Sequence, residues 1–582
     1  MKKIIFLICL CLGILACQQT AQQATAIKPS AANKTARFTG TIGKEAMVVT
    51  AHPEASKVGI QILKKGGNAI DAAIAVQFAL AVVYPRAGNI GGGGFMVVRL
   101  ANGKTNTLDF REKAPLAAHK DLYLDDNGDV VPRLSIDGHL SVGVPGTVDG
   151  MVKAHQKYGK LNWADVLQPA IDLADNGYAL TMGDAEYLNR YQGDFKKMNS
   201  TNTYFQREQE WAHGLPLIQT DLAETLKRIR DNKRKGFYQG KTAELLLAEM
   251  AVGKGIITQQ DLDKYEAVWR APIIGNYKDD YRIISMGPPS SGGVALLQMS
   301  EMTEQYPLSE WGFHDPKTAH TMIEAERLAY ADRATHLGDK DFFPVPIDGL
   351  LDEQYLSERA TLINPEKATR STEIKAGNPN KKESTETTHF SIVDSEGNAV
   401  AVTTTLNGNY GSKVFVTGAG FLLNNEMDDF SAKPGVPNMF GLIGNEANAI
   451  APEKRMLSSM TPTIIEKNGK LFMVLGSPGG ATIITSVFQC FLNVVEFDMS
   501  MQEAVNASRF HHQWLPDTVF IEESTFSPQT ISTLQKMGHH FQTRGSLIER
   551  RTIGKVDAVL VWEDGTLEGA ADIRGEDTAF GY

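Results

Sequence analysis

The sequence predicts an α/β fold, and three segments carry that prediction. Residues 69–83 are apolar with few charges, which indicates a buried helix. Residues 387–405 contain two β-rich runs around a turn, which is typical of a hairpin. Residues 471–495 change from a β-rich run, through a glycine-rich turn, to apolar residues with a helical period. Strands and helices therefore occur together along one chain.

The composition excludes several classes of protein. Of 582 residues, 42% are hydrophobic and 22% are charged, which is ordinary for a globular protein and unlike collagen-like, mucin-like or largely disordered chains. The formal net charge is −10, without the basic excess that indicates nucleic-acid binding. The length alone would suggest about four domains at roughly 150 residues each.

The first residues predict export and lipid attachment. Lys2 and Lys3 precede an apolar run, 4–16, that is too short to span a membrane but fits the core of a signal peptide. Cys17 follows in a sequence similar to a bacterial lipobox, and a plain signal peptide cut nearby is the alternative. Gln18 rather than Asp comes next, which favours the outer membrane of a Gram-negative bacterium. We therefore expect a periplasmic protein with a lipid anchor in that membrane.

The cysteines predict a fold without disulfides. Cys9 and Cys11 leave with the signal peptide 1–16, and a lipid on Cys17 leaves only Cys490. Cys490 lies in an apolar run, so we interpret it as a core residue rather than a nucleophile.

Two polar segments are expected to lie outside the core. Residues 17–38 are rich in Gln, Ala and Thr and have no apolar periodicity, which indicates a flexible tether. Residues 364–386 contain only three apolar residues among many charged ones. They cannot bury a face, so an exposed and mobile loop is expected directly before the hairpin.

The turn of the hairpin sets the register of its two strands. A three-residue loop with Gly397 in its last position indicates a G1 bulge, so Asp394 should pair with Asn398. The same register brings Thr387 opposite Thr405, side by side at the open end of the hairpin. The alternative is that both threonines are simply β-branched residues suited to a strand.

The glycine-rich turn 476–480 predicts an anion site. A strand, a turn and a helix N-terminus together present free backbone N–H groups, as in an oxyanion hole. No Lys-Ser/Thr pair follows, so the turn is not a Walker phosphate loop, and a tight turn without a ligand is the alternative. Residues 91–94 do not complete a dinucleotide-binding motif, and the G-x-S-x-G motif of α/β-hydrolases does not occur.

The ordered motifs of the chain match one known family. They lie at 67–73, 91–95, 109–112, 387–389, 423–430, 457–460, 476–480 and 509–512. Together they resemble the γ-glutamyltransferase (glutathione hydrolase) family of N-terminal-nucleophile hydrolases, over about residues 39–582. The resemblance implies a four-layer αββα sandwich, with two stacked sheets covered by helices. It also implies a heterodimer that builds one such domain from a large subunit, 39–386, and a small subunit, 387–582.

The resemblance implies that the precursor cuts itself between Glu386 and Thr387. A threonine hydroxyl attacks the carbonyl of the residue before it, and hydrolysis of the resulting ester releases a new N-terminus. The α-amine of Thr387 then has a reference pKa of about 7.7–8.0 and can act as the base for its own hydroxyl.

The resemblance further implies a γ-glutamyl ester on Thr387, formed from glutathione or another γ-glutamyl donor. The N–H groups of Gly479 and Gly480 would hold the oxyanion, and Thr405 would hydrogen-bond the Thr387 hydroxyl. The acyl group then passes to water or to an amino acid or peptide, without a metal or cofactor.

The donor-binding residues also follow from the resemblance. A donor with a free α-carboxylate and α-ammonium needs opposite charges at two ends. Arg111 suits the carboxylate because a guanidinium binds it in bidentate fashion, together with Ser458 and Ser459. The residues for the ammonium are Asp429, Glu426 and Asn407, and Thr405, Gly479 and Gly480 complete the substrate-binding set. Taken alone, Arg111 would be a surface ion pair, and the two serines a helix cap.

Residues 433–441 resemble a lid over the glutamyl pocket. Some relatives carry Tyr where this chain has Phe440. Phe keeps the apolar cover but lacks the hydroxyl donor. We therefore expect no hydrogen bond from Phe440 towards Asn407, and a looser lid.

Two other functions remain open from the sequence. A cephalosporin or glutaryl-amide acylase shares the nucleophile and the self-cleavage, but a glutaryl group has no ammonium for Asp429. A non-enzymatic lipoprotein that binds peptides would need neither Thr387 nor the glycine turn. A single band near full size on a gel of mature protein would favour the binding protein.

The lipobox interpretation predicts that Cys17→Ser releases the protein from the membrane or leaves the signal peptide uncut. Lipid chains contribute about 0.8 kcal/mol per buried CH₂, and two or more hold a protein stably. Partitioning between a detergent phase and an aqueous phase measures the anchor. Hydrolysis of γ-glutamyl-p-nitroanilide should stay unchanged, because the tether 17–38 separates Cys17 from the core. Wild-type protein in the aqueous phase, with a mature start after Cys17, would contradict the interpretation.

Overall fold

A computed structural model describes residues 39–379, 388–544 and 552–582. The segments 1–16 and 17–38, with Cys17, lie outside these residues, and so do Glu386 and Thr387. What the sequence predicts for them therefore stays a prediction. Within the described part of the chain, no helix is both long enough and apolar enough to cross a membrane.

Strands and helices are distributed along the whole described chain. The strands are β1 (Thr41–Gly43), β2 (Met47–Thr50), β3 (Gly93–Arg99), β4 (Thr105–Asp109), β5 (Tyr178–Ala179), β6 (Pro216–Leu217), β7 (Val268–Arg270), β8 (Ile273–Tyr277), β9 (Tyr281–Ser285), β10 (Thr388–Val393), β11 (Ala399–Thr405), β12 (Thr463–Lys467), β13 (Lys470–Gly476), β14 (Phe510–His511), β15 (Val519–Ile521), β16 (Phe541–Thr543), β17 (Asp557–Val561), β18 (Leu567–Ala570) and β19 (Thr578–Gly581). The helices are α1 (Pro53–Lys64), α2 (Ala69–Val83), α3 (Thr147–Tyr158), α4 (Trp163–Asn176), α5 (Met182–Arg190), α6 (Gln192–Met198), α7 (Thr220–Asn232), α8 (Lys235–Tyr238), α9 (Gly240–Val252), α10 (Gln259–Lys264), α11 (Gly292–Glu304), α12 (Leu308–Trp311), α13 (Pro316–His336), α14 (Ile347–Leu350), α15 (Glu353–Ala360), α16 (Thr482–Val495), α17 (Met501–Asn506) and α18 (Pro528–Met537).

Two antiparallel seven-stranded sheets form the centre of the molecule. The first has the strand order β1-β18-β17-β13-β12-β9-β8, and the second has the order β19-β2-β10-β11-β3-β4-β7. The hairpin β10–β11 lies in the middle of the second sheet, with β2 on one side and β3 on the other. It is therefore covered by neighbouring strands along both edges.

The two sheets face each other across an apolar layer. Alternate residues of their strands point into this layer, including Val49 and Val97 from the second sheet and Ile284 and Val474 from the first. Their neighbours in sequence point outward, because successive side chains of a strand leave on opposite faces.

Helices cover the outer face of each sheet. α2 packs over the second sheet in an apolar cluster that includes Val48 and Met96 of its strands. α13 and α16 pack over the first sheet in another cluster, with Ile283 and Met473. The order helix, sheet, sheet, helix confirms the predicted four-layer αββα sandwich.

α2 spans Ala69–Val83, as predicted, and every residue in it is buried. Asn68 and Asp71 form a capping box at its first turn, in which each side chain accepts from the other residue's backbone N–H. The helix ends at Val83, two residues before Pro85, which disfavours a helical conformation at Tyr84. Burial on all sides explains why the sequence shows an apolar run rather than an amphipathic stripe.

The hairpin has the predicted register. Thr388 pairs with Thr404, and the Asp394 N–H donates to the Asn398 carbonyl oxygen at 3.1 Å. Gly397 has φ = 86°, the left-handed conformation that this type of loop requires. The register predicted from the turn is thus confirmed for every described residue pair of the hairpin.

The described part of the polar segment, 364–379, is docked against the rest of the protein. The Ser371 N–H donates to the Asp517 carboxylate at 2.9 Å, and the Gly377 N–H donates to the Asp332 carboxylate at 2.8 Å. Most of these residues are exposed, as predicted, but Ser371 and Ile374 are buried, so the segment is not free of the core. Its mobility stays a prediction. Backbone groups make the contacts, so a composition with few apolar residues does not reveal them.

Cys490 is buried in α16, as predicted, and it is a free thiol among the described residues. Phe488 and Leu492 lie in the same apolar cluster. Burial raises the pKa of the Cys490 thiol to about 12, which keeps the sulfur protonated and unreactive.

Candidate active site

The open end of the hairpin lies at the wall of the central cavity, a space of about 620 Å³. Thr405, the last residue of β11, lines this cavity, together with Asn407. Gly479 and Gly480 line it as well, although they come from the other sheet's connection to α16. The fold thus brings four residues of the predicted site to one space.

Thr405 is held by hydrogen bonds on two sides. Its Oγ1 accepts from the Asn407 N–H at 2.6 Å, and its carbonyl oxygen accepts from Asn89 Nδ2 at 2.8 Å. Asn89 Nδ2 also donates to Thr404 Oγ1 at 3.1 Å, and its Oδ1 accepts from Thr147 Oγ1 at 2.7 Å. The sequence analysis missed Asn89, because only its place shortly before the glycine run marks it.

The glycines 91–94 allow β3 to lie close against β11. A Cβ on Gly92 would lie 2.0 Å from the Thr405 carbonyl oxygen, and one on Gly94 would lie 2.3 Å from that of Thr403. Both distances are far below van der Waals contact, so a side chain at either position would push the strands apart. The run therefore serves strand packing.

Gly479 and Gly480 form the turn between β13 and α16. Their φ values are 132° and 68°, a conformation that favours glycine. No described residue accepts a hydrogen bond from either N–H. Two unpaired backbone donors at the cavity wall have the chemistry that the predicted oxyanion hole requires.

Arg111 is the centre of a buried charged cluster rather than a surface ion pair. Its guanidinium pairs with Glu426, pairs with Asp429 at 2.6 Å, and lies 3.7 Å from Glu112. All four side chains are buried. The Met456 carbonyl oxygen accepts from Arg111 Nε at 3.3 Å. This Arg111 cluster joins the groups that the resemblance places at the two ends of one donor.

Burial shifts the acids of the Arg111 cluster towards their neutral forms. It raises the pKa of Glu112 to about 8 and also raises the pKa values of Glu426 and Asp429, against the attraction of Arg111. Neither carboxylate oxygen of Glu112 has a hydrogen-bond partner within the described residues. One guanidinium therefore faces three acids, and it can neutralise only one of them when all are ionised.

Ser458 and Ser459 lie beside the Arg111 cluster in a segment that is not helical. The neighbouring Leu457 carbonyl oxygen accepts from Arg111 Nη2 at 3.2 Å. Ser459 Oγ accepts from Arg333 Nη2 at 3.2 Å, and both serines are buried. The helix-cap alternative is therefore wrong, and the two serines directly follow Leu457, which contacts Arg111.

Asn407 lines the central cavity, whereas Arg111 does not. Its Nδ2 donates to the Asn425 carbonyl oxygen at 3.0 Å, and its Oδ1 has no partner among the described residues. Phe440 also lines the cavity and offers no hydroxyl. Because Asn425 precedes Glu426, one short segment connects the cavity to the Arg111 cluster.

The lid, 433–441, is fixed by two hydrogen bonds that the sequence analysis did not predict. Asn438 Nδ2 donates to Asp429 Oδ1 at 3.3 Å, and the Met439 N–H donates to Asp428 Oδ2 at 3.1 Å. Burial raises the pKa of Asp428 to about 6. These two acids contact the lid from beneath, and the expectation of a looser lid than in relatives with Tyr stays a prediction.

The comparison with protein families agrees with this geometry. Residues 55–582 match the family model described as Gamma-glutamyltranspeptidase. The chain belongs to the gamma-glutamyltranspeptidase family. This membership confirms the resemblance that the ordered motifs indicate.

Relatives of this gamma-glutamyltranspeptidase family member cover most of the chain. A glutathione hydrolase proenzyme of Pseudomonas sp. (strain A14) is 50% identical over 521 residues, which is 89% of this chain and 90% of the relative. The crystal structure of Helicobacter pylori gamma-glutamyltranspeptidase is 48% identical, with a TM-score of 0.55 over 56% of this chain and 94% of that chain. The crystal structure of cephalosporin acylase from Bacillus halodurans is 26% identical, with a TM-score of 0.83 over 96% of this chain and 99% of that chain. The fold is thus shared with an acylase of lower sequence identity.

Within the described residues, one group of side chains could supply ligands to a metal ion: His320, Glu324 and His539. His320 Nδ1 and His539 Nε2 lie 2.7 Å apart and share a hydrogen bond. Glu324 accepts from Arg327 Nε at 3.0 Å. His539 Nδ1 has no partner among the described residues, and the three side chains do not line the central cavity.

The raised pKa of Glu112 predicts a stability that falls as the pH rises. The folded protein keeps a proton on this group that the unfolded chain gives up above its ordinary value of 4.5. The free energy of unfolding should therefore decline from about pH 5 to about pH 8, by at most about 1.4 kcal/mol per pH unit for one proton. Glu112→Gln has no titrating proton and should flatten this decline, measured as Tm against pH.

Glu310→Gln is the matched control, because Glu310 is exposed and lies far along the chain from the cluster. It should leave the slope of Tm against pH unchanged. Equal slopes for the parent and Glu112→Gln would contradict the raised pKa.

Proposed function

We propose that the protein is an autoprocessing γ-glutamyltransferase and glutathione hydrolase. One observation carries the proposal: Thr405 shares a cavity with two backbone donors that have no described partner, and its strand partner lies against a buried charged cluster. Gly479 and Gly480 carry these backbone donors, and both line the central cavity together with Thr405. The cluster begins next to Gly93, the strand partner of Thr405, where a Cβ would lie 2.6 Å from Glu112 Oε2. The backbone N–H groups can stabilise a developing oxyanion. The Arg111 cluster contains both signs of charge and can bind a small zwitterion.

Maturation begins with Thr387 in the intact chain. Its Oγ attacks the carbonyl carbon of Glu386, and the peptide nitrogen leaves as the α-amine, which forms an ester between the two residues. Water then hydrolyses the ester to a carboxylate on Glu386 and a free hydroxyl on Thr387. The products are a chain 17–386, which carries the tether and the large subunit 39–386, and the small subunit, 387–582.

The mature enzyme uses the Thr387 α-amine as a general base. The amine takes the hydroxyl proton as Oγ attacks the γ-carbonyl carbon of the donor, while the Gly479 and Gly480 N–H groups hold the oxyanion. Thr405 orients the Thr387 hydroxyl. The protonated amine then gives its proton to the leaving nitrogen as the C–N bond breaks. Water, or the amine of an amino acid or peptide, cleaves the resulting ester by the same steps.

The Arg111 cluster recognises the donor by an exchange of ionic partners. The donor's α-carboxylate takes the guanidinium of Arg111, with Ser458 and Ser459 beside it. Its α-ammonium takes the carboxylates of Asp429 and Glu426. Arg111, Asp429 and Glu426 each keep a partner through this exchange, which avoids the cost of leaving one of their charges unpaired inside the protein.

The second candidate function is that of a glutaryl or cephalosporin acylase, which the shared fold with the Bacillus halodurans enzyme favours. A glutaryl group could pair with Arg111 but has no ammonium. Asp429, Glu426 and the unpartnered Oδ1 of Asn407 would then remain without a cation. The number of acceptors in the site therefore favours a γ-glutamyl donor.

We also propose that the heterodimer is held in the outer membrane by a lipid on Cys17, facing the periplasm. The support is the sequence pattern of residues 1–18 alone. Glutathione and related γ-glutamyl compounds would then reach the enzyme in that compartment. A peptide-binding lipoprotein without activity would share this location and would differ by remaining uncut.

Substitution of Thr387 tests both steps of the proposed chemistry. Thr387→Ala should abolish maturation and hydrolysis of γ-glutamyl-p-nitroanilide, because one hydroxyl serves both. Thr387→Ser keeps an Oγ and should retain part of each. A gel shows the two subunits, and Edman sequencing of the smaller one should begin Thr-Thr-His-Phe. An Ala variant that still matures alone, or a different first residue, would identify another nucleophile.

Asp429→Asn tests the recognition of the α-ammonium. A hydrogen bond between charged groups contributes on the order of 1.5–3 kcal/mol, so the KM for a γ-glutamyl anilide should rise about tenfold or more. The turnover of bound donor should change less. A glutaryl anilide, which has no ammonium, is the matched control substrate. If the preference for γ-glutamyl over glutaryl is the same in the variant, Asp429 does not read the amine.

A further inference from the structure

The wall of the central cavity carries five basic side chains within the described residues, and four of them have acidic partners. The pairs are Arg133–Asp137 at 2.6 Å, Lys413–Asp137 at 3.6 Å, Lys555–Asp577 at 2.7 Å and Arg574–Glu522 at 2.5 Å. Arg86 is the fifth. No described carboxylate pairs with its guanidinium, and its Nε has no hydrogen-bond partner.

Arg86 is held in place although it lacks an ionic partner. Its Cζ lies 4.3 Å from the ring centroid of Tyr84 and 4.1 Å from that of Tyr187. Its carbonyl oxygen accepts from the Tyr410 N–H at 2.9 Å. The side chain is only 9% exposed, so its charge is largely withdrawn from bulk water. Aromatic faces offset that burial in part and leave the N–H groups free to bind an anion.

Two acids share the cavity wall but do not neutralise Arg86. Glu576 accepts from the Gly183 N–H at 2.9 Å and from the Thr181 hydroxyl. Asp194 forms no ion pair with Arg86. Arg86 therefore remains the basic group of this wall that an incoming anion can pair with at no loss to an existing ion pair.

The position of Arg86, in the loop before β3, indicates which part of the donor it can contact. Arg86 lies three residues before Asn89, which holds the Thr405 carbonyl at 2.8 Å, so the loop is fastened to the end of β11. Arg86 and Gly480 line the same cavity, whereas Arg111 does not. When the glutamyl head occupies the Arg111 cluster, the part of the donor beyond the scissile bond must extend into the cavity with Arg86.

We propose that Arg86 binds the carboxylate of the group that leaves or enters during acyl transfer. The inference rests on the proposed function. In a γ-glutamyl peptide that group is an amino acid or peptide with a free C-terminal carboxylate, and an acceptor has the same chemistry. A bidentate pair with Arg86 makes the enzyme prefer donors and acceptors that end in a carboxylate over those that end in an amide.

The test compares three donors: glutathione, its glycine amide, and γ-glutamyl-p-nitroanilide, whose leaving group has no carboxylate. Arg86→Gln should lower kcat/KM for glutathione by about tenfold or more, since it removes a charge-assisted pair. The effect on the amide and the anilide should be much smaller. Arg86→Lys keeps the charge but not the bidentate geometry and should retain part of the preference. Glycylglycine and its amide test the acceptor side in the same way.

Arg133→Gln is the matched control, because Arg133 lines the same cavity but already pairs with Asp137. It should leave the ratio of glutathione to its amide unchanged. An equal loss for glutathione and its amide in Arg86→Gln would mean a structural role and would overturn the proposal. Arg86→Met keeps the packing against the tyrosines and replaces Arg86→Gln if that variant does not fold.

The parent enzyme separates this inference from the proposed function. A parent that hydrolyses the anilide but shows no preference for glutathione over its amide would overturn the inference and leave the function intact. A parent that hydrolyses none of the three donors would contradict the proposed function itself.

Discussion

The close contact between β3 and β11 is the constraint on which the site depends. A Cβ on Gly92 would lie 2.0 Å from the Thr405 carbonyl oxygen, so backbone meets backbone with no room between them. The chain before β3 carries Asn89, which fastens the end of β11 from one side. The chain after β4 carries Glu112 against Gly93 on the other side. The pair β3–β11 therefore positions both Asn89 and Glu112. A larger residue than glycine in the contact between these strands would move both side chains.

Local rules are sufficient for the parts of the site that lie within consecutive elements. A three-residue turn determines the register of the hairpin. Once the turn fixes the first pair, each following residue of one strand pairs with the next residue of the other. An apolar run bounded by Asn68 and Pro85 determines α2. The strand, turn and helix around Gly479 follow one another, so their free N–H groups can be predicted from the sequence.

Contacts between distant segments could not be predicted in this way. Asn89 reaches Thr405 across 316 positions, and Ser371 reaches Asp517 across 146 positions. No periodicity or composition marks such a partner, because a single polar side chain or backbone N–H makes the contact. The charge of Arg86 is a similar case: the sequence shows a basic residue, and only the folded cavity shows that its neighbours are tyrosines.

The Arg111 cluster and the cavity wall around Arg86 differ in how the protein balances their charges. This difference determines which ligand groups each can select. Around Arg111 the protein supplies more acids than cations, so the cluster is held by its own ion pairs, and burial favours the protonated form of Glu112. A ligand can replace those pairs without loss only if it brings both a carboxylate and an ammonium. Around Arg86 no described carboxylate forms an ion pair with the guanidinium, Asp184 attracts it only from a distance, and the aromatic rings of Tyr84 and Tyr187 compensate only in part. An anion gains there whatever the rest of its structure, because it meets a guanidinium that no acid occupies. Under the two proposals, the Arg111 cluster therefore selects the glutamyl head strictly, while Arg86 requires only a carboxylate on the group attached to it.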